Sequence, residues 1–176
     1  GAFSLKGGGI LENLTDSLTR SGTIGLDMVT RNLNFLTGLT GVTPDGSLVI
    51  PDSMSLKMKM EMNGPQYKAK LDLKEGKGSM NVNAALNSST EVYTADLKIN
   101  DLQLHHFLPK DSIYELSLSA DAKGRGLDVM SFHSLANLNL SLDQLHYARY
   151  HLSNVHLTGN LKGALATAQL TSDNEL

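Results

Sequence analysis

Ser53 to Asn63 reads SMSLKMKMEMN, and the alternation in this stretch decides the architecture. As an extended strand it places Met54, Leu56, Met58, Met60 and Met62 on one face, with Lys57, Lys59 and Glu61 on the other. A strand so divided has to bury its apolar side. Its thioethers are flexible where most strands carry Val, Ile or an aromatic ring, so the surface they form is greasy and adaptable.

The same period continues downstream. NGPQ supplies turn residues, and Tyr67, Ala69, Leu71 and Leu73 then alternate with Lys68, Lys70, Asp72 and Lys74, which predicts an antiparallel hairpin. EGKG turns the chain into Met80, Val82, Ala84 and Leu86, and NSST leads into Tyr93, Ala95, Leu97 and Ile99. Four strands in succession make a meander with one wet face. An irregular stretch from Asp101, DLQLHHFLPKDS, precedes Tyr114, Leu116, Leu118, Ala120 and Ala122. KGRG reads as the next turn, Leu127 and Val129 as continuing strand, and Leu138, Leu140, Leu142, Val155, Leu157 and Ala164 to Leu170 as the last strands.

Upstream, Ile10, Leu11, Leu14 and Leu18 fit one stripe of a short helix that Gly22 can end, which divides the chain into a helix and lead-in over 1–22 and a repetitive sheet over 23–176. Ile24, Leu26 and Met28 alternate as a strand, Asn32 to Leu39 favours a helical turn, and Gly41, Pro44 and Gly46 mark a loop. LDMVTRNLNFL, from Leu26, and LKINDLQLHHFL, from Leu97, each run a strand into a Phe-Leu turn, a weak internal echo of the kind stacked repeats produce.

Composition narrows the function. The 176 residues carry a net charge of −3, which gives no general attraction to nucleic acid or to anionic lipid surfaces. Lys57, Lys59, Lys68, Lys70 and Lys74 do line one hairpin, but Tyr67, the ring nearest them, falls on its other face, so stacking among the basic groups is not provided for. No cysteine is present, which removes disulfides and thiolate chemistry. His105 and His106 are neighbours on opposite sides of the chain, and His133, His146, His151 and His156 are scattered, the last three alternating in face, so no metal or other cofactor is expected. Neither a nucleophile elbow nor a phosphate loop followed by a helix occurs, GKG at 76–78 and GRG at 124–126 reading as hairpin turns, and no enzyme activity is expected. No apolar run approaches the roughly 20 residues of a membrane span, and Gly1 and the closing SDNEL read as the limits of a piece cut from a longer protein.

What remains is the apolar face. Its candidate lining comprises Met54, Leu56, Met58, Met60, Met62, Leu71, Leu73, Met80, Val82, Leu97, Ile99, Leu116, Leu118, Leu138, Leu140 and Leu142. Two readings stay open on the residues alone: a closed β-sandwich core, as in a structural or adhesive module, and a curved sheet whose concave face meets acyl chains.

A family resemblance bears on that choice. The long runs of amphipathic strands, the phrase ADLKINDLQLHHFLPKDSIYELSLSADAKGRGLDV and the phrase LDQLHYARYHLSNVHLTGNLKGALATAQLTSDN resemble the TamB/AsmA superfamily of bacterial envelope proteins, the TamB branch more closely. The resemblance covers most of the chain after Gly22. It implies an all-β, mainly antiparallel fold, with an elongated taco-like sheet in the periplasm, in a protein anchored in the inner membrane and engaged in outer-membrane biogenesis. It further implies phospholipid or other apolar cargo along the groove, and an outer-membrane barrel partner engaged through regions outside this chain.

Overall fold

The computed structural model describes residues 3–31 and 49–174. Ten strands follow one another: β1 (Phe3–Glu12), β2 (Ser21–Thr30), β3 (Met54–Asn63), β4 (Gln66–Glu75), β5 (Gly78–Asn87), β6 (Val92–Gln103), β7 (Ile113–Arg125), β8 (Leu135–Tyr147), β9 (Tyr150–Lys162) and β10 (Leu165–Ser172). They form one antiparallel sheet in which spatial order equals chain order. The protein is all-β, an open and curved sheet. Nine gaps of about 4.8 Å make it about 43 Å long across the strands.

Regular alternation lets this register persist. β3, β4 and β5 carry apolar residues at every second position without a break, and slipping either pair by one residue would turn a whole apolar set onto the wet face. Four connections are tight: Gly64-Pro65, Gly76-Lys77, Ala148-Arg149 and Gly163-Ala164. At the β5–β6 turn the side chain of Asn87 accepts from the backbone N–H of Ser89 and Thr90.

Burial concentrates in one corner. Met54, Leu73, Ile99 and Leu102 form the buried apolar cluster, and Leu56, Leu104, Phe107, Leu116 and Leu118 are among the half-buried side chains packed against it. The stretch after β6 makes this possible: a single 3-10 turn, Leu104–His106, folds Leu104 and Phe107 toward the sheet. A bulge between Ile99 and Leu102 matters as much. It inserts one residue relative to β7, with Asp101 at φ 47°, so Leu102 returns to the face of Ile99 instead of the opposite one. Ser117 fastens the bulge, its Oγ accepting from Asp101 N at 2.8 Å and donating to Asp101 Oδ1 at 3.2 Å. Beside the same corner, fully buried Thr30 accepts from Met54 N at 2.9 Å and donates to Pro51 O at 2.8 Å, closing off polar groups that would otherwise go unpaired.

Several expectations are corrected. The helix over Ile10–Leu18, and with it the separate unit 1–22, is absent: Ile10 and Leu11 end β1, paired with Thr23 and Gly22, so the lead-in belongs to the sheet. Leu11 keeps the alternation of Phe3 and Leu5 across Gly7 and Gly9, and the link to β2 is folded by Asp16. Its carboxylate accepts from Leu18 N and Thr19 Oγ1, each at 2.8 Å, and these bonds hold its pKa below the ordinary value. GKG at 76–78 does turn the chain, but Gly124 and Arg125 lie within β7. Gly124 is needed there for close approach, since a Cβ would stand 2.5 Å from the Tyr93 hydroxyl of the neighbouring strand. Leu127 and Val129 belong to a loop, not a strand. The turn expected at Leu104 is present, while the helical turn from Asn32 to Leu39 and the loop at Gly41, Pro44 and Gly46 lie outside the described residues.

The closed sandwich is also corrected. Among the described residues no second sheet faces the first. Outside the packed corner the described side chains of the apolar face are half-buried or exposed, Met60 at 45% and Leu138 at 37%. The apolar face is largely open.

Candidate functional site

Strand register converts the apolar positions into rows that run along the sheet, perpendicular to the strands. One row passes from Leu26 through Met58, Leu71, Val82, Leu97, Ala120, Leu140 and Leu157 to Leu170. Beside it runs a second: Met28, Leu56, Leu73, Met80, Ile99, Leu118, Leu142 and Val155. On the first row's other side lies a third: Ile24, Met60, Ala69, Ala84, Ala95, Ala122 and Leu138. Met62 belongs to a fourth, with Tyr67, Leu86 and Tyr93.

All sixteen candidate residues therefore share one face, but they do not share one environment. Met54, Leu73 and Ile99 are closed off in the packed corner, with Leu116 half-buried against them, and act as core. Met58, Leu71, Val82, Leu97 and Leu140 form the middle row, and Met60, 45% exposed, sits with Leu138 at the open side.

The third row is what sequence reasoning missed. Ala69, Ala84, Ala95 and Ala122 come from four different strands, and register brings them side by side. Short side chains between two rows of Leu, Met, Val and Tyr leave a furrow. Here an apolar trough of about 520 Å³ opens, lined by Leu11 and Leu14 near one end, by Met60, Ala84 and Tyr93 in its middle, and by Leu127. Residues from β1 through β6 and from beyond β7 border this one trough. Alternation alone identifies the face of each alanine, but only register shows that the alanines align.

The opposite face is wet and mixed in charge. Lys57 stands opposite Asp72 and Glu61 opposite Lys68, while Lys59 faces Lys70. Lys59 Nζ also lies 2.5 Å from Glu61 Oε1, a hydrogen-bonded pairing that holds the Glu61 carboxyl below its usual range. Both side chains are well exposed, so the pair adds little to stability. Tyr67 lies on the apolar side, under the Arg20 guanidinium at 5.1 Å from the ring centre, and no aromatic residue of β3 or β4 stands among these lysines.

The histidines are arranged differently from expectation. The Ala148-Arg149 hairpin sets His146 directly opposite His151, with ring centres 4.0 Å apart, so these two share a face. Tyr114 and His105 extend the series at 4.8 and 5.6 Å. His106 Nδ1 meets Glu75 Oε1 at 2.8 Å, satisfying one oxygen of a carboxylate buried at the edge of the packed corner. Among the described residues no group of three or more His, Asp or Glu side chains is placed to hold a metal ion. No helix among them is long and apolar enough to cross a membrane. No family model, curated protein or solved structure matches this chain.

Proposed function

We propose that this chain is a non-catalytic segment that shields lipid acyl chains, or apolar stretches of client protein, along the furrow of its concave face. The observation that supports this most is the uncovered apolar face itself, continuous from β2 to β9 and grooved by the alanine row. Each methylene moved from water onto such a surface contributes about 0.8 kcal/mol, and a trough of about 520 Å³ is within the range of ligand sites. Length agrees as well: about 43 Å of sheet exceeds the roughly 15 Å of one leaflet's hydrocarbon, so several acyl chains fit in series. Nothing in the furrow asks a ligand for a fixed shape. Leu and Met side chains adapt, which suits passage better than tight retention.

The resemblance to the TamB/AsmA superfamily supplies the setting for this reading: a periplasmic section of an inner-membrane-anchored protein, moving lipid toward the outer membrane in company with a barrel partner. Purified chain incubated with vesicles of fluorescent phospholipid should accept label and pass it to unlabelled vesicles. Transfer no faster than the lipid's spontaneous exchange would count against the reading.

A further inference from the structure

The loop joining β7 to β8, residues 126–134, presents large apolar side chains to solvent: Phe132 is 84% exposed and Met130 75%, with Val129 also exposed. This loop is held, not loose. Ser134, almost fully buried, donates from its Oγ to Asp128 O at 2.5 Å, and its own N–H bonds to Ser131 O. Asp128 accepts from Met130 N at 2.9 Å, and Glu91 accepts from Leu127 N at 3.3 Å, so both nearby carboxylates are turned to the loop's own backbone. Gly163, at φ 58°, lets the β9–β10 turn lie against the Phe132 carbonyl, where a Cβ would come within 2.9 Å. A pre-ordered loop that leaves Phe and Met in water is built to meet something apolar.

The adjoining margin of the wet face shows what kind of surface fits. Along it the register reads Val92, Arg125, Leu135, Lys162, Leu165, apolar and basic residues alternating from β6 to β10, with the three aliphatic members exposed. Apolar side chains that enter an interface, flanked by cations, match a bilayer bearing anionic headgroups. We propose that this margin is a membrane-docking edge, inserting Phe132 and Met130 among the lipids while Arg125 and Lys162 contact anionic headgroups. It rests on the loop and its margin, not on the furrow, and adds a point at which the sheet meets the membrane.

The chain has no tryptophan, so Phe132→Trp installs a unique reporter in an exposed site. With vesicles of phosphatidylcholine and phosphatidylglycerol, its emission should shift to the blue and be quenched by brominated acyl chains. Arg125→Gln with Lys162→Gln should weaken that binding about thirty-fold, and Met130→Asp should remove it. A tryptophan at Asn83→Trp, mid-sheet on the wet face, should not respond. Adding Met60→Glu to the Phe132→Trp chain should leave docking intact, which separates this edge from the furrow. Unchanged emission from Phe132→Trp, an equal shift at Asn83→Trp, or equal response to purely neutral vesicles would overturn the proposal.

Discussion

Leu102→Asp is expected to abolish cooperative unfolding of the sheet, while Met60→Glu stays within about 1 kcal/mol of the parent in a urea titration. Both substitutions put a carboxylate on the apolar face. Leu102 is 3% exposed, beneath the bulge and against Met54, Leu73 and Ile99, so the new charge has no water and no partner and costs several kcal/mol. Met60 is 45% exposed at the furrow, where solvent reaches the carboxylate. Equal destabilisation by the two would mean that the methionine face is an ordinary core.

Ala84→Leu combined with Ala95→Leu is expected to reduce phospholipid transfer at least ten-fold without loss of thermal stability. The two alanines are direct cross-strand partners at the furrow floor, flanked by Leu86 and Tyr93 on one side and Val82 and Leu97 on the other. Leucine here fills open space, adds apolar contact between β5 and β6 and introduces no charge. A stable variant that no longer transfers lipid would locate the path in the furrow. Undiminished transfer would move the path off this face.

How far the chain could be read from sequence depends on range. Alternation in SMSLKMKMEMN and its successors fixes which side chains share a face because strand geometry is local, and the meander from β3 to β6 follows with turns at Gly64-Pro65, Gly76-Lys77 and Ser88–Glu91. Register is not local. The alignment of Ala69, Ala84, Ala95 and Ala122 depends on the lengths of three turns together, so the furrow could not be recognised as one feature. Bulges hide more: Asp101 shifts the alternation by one residue, which is why the candidate lining lacks Leu102, the most buried apolar residue among those described. At Ile10–Leu18 helical spacing arose from a strand end followed by a turn, two elements whose apolar positions imitate a stripe. The pairing of His146 with His151 reflects a hairpin that reverses the chain, so alternation counted along one strand misplaced them.

The central claim, that acyl chains lie against the furrow, is met most directly by site-specific photo-crosslinking in the longest natural form of the protein. A photoreactive residue in place of Met60 should capture phospholipid, and one in place of its neighbour Lys59, which the strand turns to the wet face, should not. Capture at Lys59 equal to that at Met60, or no lipid adduct at Met60, would contradict the account.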